Sequence, residues 1–373
     1  MHTTSQYAVP IAQPQITDEE KRRVLEVLES GRLVAGRRVR EFEEGFAAYV
    51  GAAHAVATSS GTTALMVAVE AAGITRGARV ITTPFSFGAT ANAVLHRGAR
   101  PLFVDIDPRT YNLDPDAVAA ALDRTPDVQG LLLVHLYGLP CQMDAFEAMA
   151  KARGLVLLED AAQAHGAAFG GRRVGTIGTA GAFSLYPTKN LMTGEGGLLV
   201  TNDGTVADTA RLLVNCGSRT PYIYEILGYN FRMTEMAGAL GAIQLAHLDA
   251  RNARRREHAR RLTAALADLD WLVLPYEPPG CLHVYHQYTI RVPRVRDRLI
   301  EHLNAHGVGS RVYYPVPIHR TPLYVREGYG TARCPEAERA AQEVLSIPVH
   351  PGLDDAALER VIRAIRSFVP HPS

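Results

Sequence analysis

The chain has 373 residues, 47% of them hydrophobic and 21% charged, the composition of a folded protein of about two domains and not of a disordered one. Its 39 basic and 38 acidic residues leave a formal net charge of +1, so no global field draws it to nucleic acid or to an anionic membrane. The opening stretch MHTTSQYAVP has neither a basic nor an apolar leader region, and no apolar run approaches the roughly 20 residues that span a bilayer, so a cytoplasmic location is expected. Thr17-Asp-Glu-Glu20 is a capping box that predicts a helix with Val24, Leu25 and Leu28 on one face, stopped at Gly31. From residue 54 strand-like runs follow one another at 54–59, 79–83, 100–106, 130–136, 154–160, 181–186 and 196–201, with helix-like stretches at 63–72, 115–123 and 143–153 among the first five. Near-continuous apolar strands alternating with helices predict an α/β fold with a large, mostly parallel sheet flanked by helices. A long helical region over 234–268 carries RNARRREHARR (251–261), read as a solvated face or subunit contact. PYEPPG (275–280) then breaks the chain, and HQYTIRV (286–292) with a helix around 295–306 opens a smaller α+β C-terminal domain. The expected division is a large domain over 1–250 and a small one over 251–373.

Lysine is scarce, which makes each one easy to weigh. Lys21 and Lys151 lie in charged amphipathic helices, whereas Lys189 lies in FSLYPTKNLMTGEGGLLV between two strand-like runs. Burial there disfavours an ammonium and shifts it toward the neutral amine that a Schiff-base nucleophile or general base requires. The plainer alternative is a structural lysine paired with Glu195. Asp160 ends the run LVLLED, at the carboxyl end of a strand where parallel sheets build their ligand crevices; it is a candidate partner for a pyridinium N–H, or simply a helix cap. TSSGTTAL (58–65) passes from strand to helix with Gly61 at the turn. It reads either as a phosphate cradle at a helix N-terminus or as a well-capped helix start. A phosphate anchor, a ring-nitrogen acid and a Schiff-base lysine together are the three handles that pyridoxal phosphate needs.

On SSGTTAL (59–65), TPFSFGATANAV (83–94), FVDID (103–107), EDAAQAHGA (159–167), FSLYPTKNLMTGEGG (183–197), GYNFRMTEMAGALGAIQL (228–245) and YYPVPIH (313–319), in this order, the chain resembles the DegT/StrS family of pyridoxal-phosphate-dependent sugar aminotransferases, of fold type I. The resemblance implies that Lys189 attaches the cofactor and shuttles the proton, with Asp160 on the pyridine nitrogen. Gln163 would lie on the phenolic-oxygen side, and Phe87 would stack on the ring. Gly61, Thr62 and Ser184 would hold the phosphate, and Asn230 would reach the cofactor of a neighbouring subunit, which implies a homodimer with shared active sites. Tyr313 and His319 are candidates for substrate contact, although a packed loop between Pro315 and Pro317 describes His319 equally well. Lys189 disfavours the related dehydratases that carry histidine there.

Other signals are weaker. Asp105-Ile-Asp107 is too short a pattern for a metal-dependent glycosyltransferase and reads as a capped turn. His283 and His286 have metal-like spacing only, so no metal is expected. Gly194-Glu-Gly-Gly197 leads into a strand and is no dinucleotide fingerprint. The leading expectation is transfer of an amino group, from glutamate as donor, to a nucleotide-diphosphate-linked keto-sugar. TGEGG leans toward a 4-keto-6-deoxyhexose; a 3-keto sugar or a keto-cyclitol is the alternative. A lyase or dehydratase on the same fold forms a second class. A cofactor-binding regulator forms a third, and it lacks a helix-turn-helix segment outside the α/β core.

Overall fold

The structure, a computed structural model, describes residues 7–370; residues 1–6, part of the stretch read for a leader, lie outside the described residues. Helices α1 (Asp18–Ser30) and α2 (Arg37–Val50) precede β1 (His54–Thr58). There follow α3 (Gly61–Ala71), β2 (Arg79–Thr82), α4 (Ala89–His96), β3 (Arg100–Phe103), α5 (Pro115–Arg124), β4 (Val128–Val134), α6 (Met143–Arg153) and β5 (Val156–Asp160). The two-residue strands β6 (Ala168–Phe169) and β7 (Arg172–Arg173) lead to β8 (Ala180–Ser184), β9 (Gly197–Thr201), α7 (Gly204–Val214), α8 (Glu235–Ala246) and α9 (Leu248–Leu266). The chain ends with β10 (Cys281–Leu282), β11 (Tyr288–Arg291), α10 (Arg296–Ala305), α11 (Pro322–Arg326), α12 (Pro335–Glu343), β12 (Val344–Ile347) and α13 (Asp355–Arg366).

Helix α1 forms as its caps dictate. Thr17 and Glu20 close the capping box reciprocally, and Gly31 takes a left-handed φ of 65° that costs a glycine little. The large sheet has seven strands in the order β1-β9-β8-β5-β4-β2-β3. Neighbouring pairs from β3 across to β8 are parallel, and β9 is antiparallel to both β8 and β1. Only β9 therefore runs against the rest, and the carboxyl ends of the other strands gather at one edge. Register fixes which residues meet there: Thr58 and Ser184 both pair with Gly197, and Asp160 pairs with Ala182. Strand β9 is buried throughout and β4 nearly so, as a sheet covered on both faces requires. The expected α/β fold is thus the observed one, close to its predicted strand limits.

The helical region expected over 234–268 is two helices, breaking at His247. Helix α8 packs its glycines onto α2, so close that a Cβ on Gly241 would lie 2.7 Å from the Phe42 ring, while α9 leads away into a second core. That core gathers Leu262 and Leu266 of α9 with Tyr288, Ile290, Leu303, Leu345, Ile347 and Ile365. Val9 joins it, exchanging backbone hydrogen bonds with Gly307 and Gly309 at 3.0 and 2.8 Å. The expected boundary at 250/251 falls in the first turn of α9. Among the described residues no helix is long and apolar enough to cross a membrane.

Candidate active site

The site is built at the edge where strand ends converge. Strand β5 delivers Asp160, 4% exposed, with its carboxylate accepting from Thr90 Oγ1 at 2.7 Å and from the Ala162 N–H at 3.2 Å. Thr90 stands at the start of α4, one turn after Ser86, and the two hydroxyls lie 2.8 Å apart. Burial pushes the Asp160 carboxyl above its ordinary value, opposed by Thr90, Ala162, Lys189 and His135. The site thus holds a carboxylate short of cationic company.

Lys189 lies in the loop joining β8 to β9. That loop is closed by Leu185 N–H to Gly196 O and Thr193 N–H to Leu185 O, both at 2.8 Å, and the Lys189 N–H donates to Tyr186 O at 2.9 Å. Its neighbour Asn190 is buried and tied to Asn252 and to Val284 O at 2.8 and 3.1 Å, which fixes the backbone from which the lysine projects. Burial pulls the Lys189 amine down to about 8, with Asp160 pulling the other way. The alternative pairing with Glu195 is not made: Glu195 faces solvent, and Asp160 is the carboxylate that acts on the Lys189 amine. Lys21, by contrast, is exposed and paired with Asp18 at 2.8 Å.

The two readings of TSSGTTAL turn out to be compatible. Ser60 caps α3, taking the Thr63 N–H at 3.1 Å while Thr63 Oγ1 takes the Ser60 N–H at 2.9 Å. The N–H groups of Gly61 and Thr62 are left at the positive end of the helix with no partner among the described residues. A Cβ on Gly61 would lie 2.5 Å from Ser184 Cβ, so only glycine lets the helix end approach β8. That end and the Ser184 hydroxyl together offer donors to an anion.

Gln163 is buried with its amide fixed at both ends, accepting from the Tyr137 N–H at 2.8 Å and donating to the Tyr314 hydroxyl at 2.9 Å. Phe87 is 61% exposed, its ring 6.5 Å from that of Tyr314. Tyr313 is partly buried and its carbonyl accepts from the Tyr137 hydroxyl. His319 is fully buried; its Nε2 lies 3.1 Å from Glu338 and its ring 6.1 Å from that of Phe103, so it presents no open face to a ligand. Asn230 is exposed beside a segment whose Tyr222, Tyr224 and Leu227 also face solvent. The structure therefore brings together Asp160, Gln163, Phe87 and Lys189 around the strand ends, with Gly61, Thr62 and Ser184 adjoining. His319 is packed beneath the surface and Asn230 stands on an exposed loop. Sequence reasoning missed Thr90, Ser86 and Tyr314. The hydroxyls four residues apart in FSFGAT were the available signal for the first two.

The weaker signals resolve as architecture. Asp105 caps α12 by accepting the N–H groups of Glu336 and Ala337 at 2.8 and 2.9 Å, and Asp107 accepts from the Arg109 N–H at 2.8 Å. His283 and His286 are buried. Among the described residues no group of three metal-ligating side chains is assembled.

Residues 14–366 match the DegT/DnrJ/EryC1/StrS aminotransferase family. The chain belongs to that family. It is 42% identical over 360 residues to a pleiotropic regulatory protein of Geobacillus stearothermophilus, covering 96% of each chain. It is 41% identical over 358 residues to the dTDP-3-amino-3,4,6-trideoxy-α-D-glucose transaminase of Streptomyces venezuelae, covering 96% of this chain and 94% of the relative. Among solved structures it superimposes with a TM-score of 0.90, at 42% identity and 93% coverage of each chain, on S. venezuelae DesV in complex with a ketimine intermediate. The chain is a pyridoxal-phosphate-dependent aminotransferase of the sugar type.

Proposed function

We propose that the chain transfers an amino group from glutamate to a nucleotide-diphosphate-linked 3-keto-6-deoxyhexose, yielding 2-oxoglutarate and an amino sugar. One observation carries the chemistry: an amine poised near neutrality and a buried, under-compensated carboxylate converge beside a helix end rich in free N–H donors. The residues fit the cofactor. Asp160 lacks the cation that a pyridinium N–H supplies, and the cleft between Gly61 and Ser184 is too close for any Cβ at residue 61. Gly61, Thr62 and the Ser184 hydroxyl would hold the phosphate, Gln163 the phenolic-oxygen side, and Phe87 the ring face. When bound, pyridoxal phosphate supplies an electron sink for the carbon that loses its proton. Lys189 would hold it covalently and, once released as a free amine, would take the proton from the donor Cα in one half of the exchange and give a proton to the acceptor carbon in the other. No net oxidant is needed, since amine and ketone trade places between the two substrates.

The relative whose name specifies a 3-amino product supports carbon 3, against the lean toward carbon 4 from TGEGG. We place Asn230 and the exposed Tyr222, Tyr224 and Leu227 at the contact between two copies, with Asn230 reaching the neighbour's phosphate. The test is to load the protein with pyridoxal phosphate, add glutamate, and then offer 3-keto and 4-keto nucleotide sugars in turn. Loss of the cofactor's visible band with glutamate and its return with the 3-keto sugar is the expected result. Return with the 4-keto sugar alone would move the acceptor carbon, and a band indifferent to glutamate would point to another donor such as glutamine or to the lyase class.

A further inference from the structure

The turn that follows β4 joins the cofactor side of the site to the second core through one tyrosine that the chemistry above leaves unused. Tyr137, in the single 3₁₀ turn over 136–138, is 3% exposed and holds φ 59° and ψ 5°. That left-handed backbone is uncommon for an aromatic residue and persists only where its surroundings enforce it. Three hydrogen bonds do so here. Its N–H donates to Gln163 Oε1 at 2.8 Å, its carbonyl accepts the Gln287 N–H at 3.2 Å, and its hydroxyl donates to the Tyr313 carbonyl. The next residue must be glycine for the turn to seat: a Cβ on Gly138 would lie 3.0 Å from the Gln163 carbonyl oxygen and 2.8 Å from the Val284 side chain.

These bonds close a circuit. Gln163 accepts from Tyr137 at its oxygen and donates from its nitrogen to the Tyr314 hydroxyl at 2.9 Å, and Tyr314 is chained to Tyr313, whose carbonyl Tyr137 holds. The Gln163 amide is thereby fixed in one sense, and one of its two N–H groups has no bond among the described residues. Behind Tyr137 the hydrogen bonds run on into the second core. The phenol's one proton is committed to Tyr313, so its bond with Thr289 of β11 is one it accepts. Thr289 in turn lies 2.8 Å from the Ser346 hydroxyl of β12. Burial holds the phenol well above its ordinary value, so this donor does not titrate away.

We propose that Tyr137 is a positioning residue: it fixes the Gln163 amide so that an N–H, and not the oxygen, meets the cofactor's phenolic oxygen, and it ties that setting to Thr289. This role rests on the proposed place of Gln163 on the phenolic-oxygen side. Were the amide reversed, two acceptors would face each other at the cofactor and two donors at the Tyr137 N–H. A donor preset in this way loses little orientational freedom when the cofactor arrives.

A pH titration of the visible band in the cofactor-loaded protein reads this donor. A hydrogen bond to an ionised phenolic oxygen weakens its hold on the proton it shares with the lysine linkage, so losing the donor should raise the band's pH midpoint. Gln163→Leu should raise it by about one unit or more. Tyr137→Phe keeps the ring against Tyr111 and removes only the hydroxyl, and should raise it by about half a unit. In the Gln163→Leu background Tyr137→Phe should add nothing, because both act through one bond. Thr289→Val should move the midpoint the same way by less, and Thr289→Ser, which keeps the hydroxyl, should not move it. Identical midpoints in those two overturn the proposal even if Tyr137→Phe does not fold. So do additive shifts in the double variant. A midpoint that moves in Gln163→Leu but not in Tyr137→Phe, whatever the melting temperature does, makes Tyr137 a packing residue and defeats the proposal alone. A midpoint unmoved in Gln163→Leu defeats the placement of Gln163 and the proposal with it.

Discussion

The two sides of the sheet at the end of β5 treat a buried carboxylate in opposite ways. Glu159 and Asp160 are consecutive, so their side chains leave the strand in opposite directions. Glu159 is saturated: His135 Nε2 at 2.9 Å and the Gly175 N–H at 2.7 Å reach one oxygen, and the Ile177 and Gly178 N–H groups at 2.8 and 2.7 Å reach the other. The Cys141 N–H donates to His135 Nδ1 at 3.1 Å, which places the imidazole proton on Nε2, aimed at Glu159. Burial pushes Glu159 up, yet His135 and the backbone donors together outweigh it and hold the carboxyl below its usual range. Asp160 receives one hydroxyl and one longer N–H bond, and burial prevails. Where the fold completes the shell of a buried charge it has built a joint, here pinning the turn at 175–178. Where it leaves the shell short, as at Asp160, the carboxylate keeps acceptor capacity for the proposed pyridinium N–H.

The contrast is broken most severely at Lys189 and Asp160. Lys189→Ala should lower turnover by about 10⁴-fold or more, with loss of the visible cofactor band, since in the proposed reaction this one residue is both nucleophile and base. Cofactor attachment in the wild-type protein should speed up with pH and level off near the lysine's value of about 8. The deprotonated amine is the reactive form, so at pH 7 about a tenth is already free. An uptake rate still climbing in proportion to hydroxide through pH 9.5 would show an ordinary lysine. Asp160→Asn should cost roughly 10²-fold in turnover and weaken cofactor retention, while leaving the apo-protein as stable or more so, because it removes a buried charge whose desolvation outweighs its partners.

How much of this was legible beforehand follows the same division. Apolar runs announce the strands because both sheet faces are covered, and Thr17, Glu20 and Gly31 announce α1 because their caps are local. Asp160 and Lys189 stand out only together with the Gly61 turn, because each alone also reads as a helix cap or a structural ion pair. Helix α4 was not legible: Gly88 at its N-cap makes no side-chain bond, so no capping signal marks the start of the helix that carries Thr90. Helix α9 misled for a different reason. One arginine of a charged run faces inward, and only the packing of Tyr285 and His286 against it reveals which. His319 owes its burial to Phe103 and Glu338, which lie elsewhere in the chain.

On the saturated side the loss should appear in stability. Glu159→Gln keeps the shape but turns one acceptor into a donor facing donors, and should destabilise the fold by about 3 kcal/mol, read from denaturant midpoints. The sign with pH follows from the lowered carboxyl. Its contribution is complete above the unfolded-state value and is lost as pH falls through the lower folded-state value, so the gap between wild type and variant should close in acid. A gap constant down to acid pH would mean that Glu159 acts through packing and not through charge.

The finest test lies on the unsaturated side, at Thr90. Its one proton is committed to Asp160, so the Ser86 hydroxyl 2.8 Å away must donate to Thr90 and not accept from it. Both protons then run toward the carboxylate and favour its ionised form. Ser86 also adjoins Phe87, so the same turn sets the ring of Phe87 and the charge of Asp160. Thr90→Val is close to isosteric and removes only the hydroxyl, which as a bond to a charged group should be worth about 1.5–3 kcal/mol. Cofactor affinity, titrated through the visible band, should fall roughly tenfold or more. Without that donor the Asp160 carboxyl moves further up, so more of it is protonated at pH 6 than at pH 8. The protonated acid cannot hold a pyridinium N–H, and the affinity deficit should therefore be wider at pH 6. Thr90→Ser, which restores the hydroxyl, should bind as the wild type does. If valine and serine at this position bind alike, the hydroxyl contributes nothing and the sparse shell of Asp160 is sparser still.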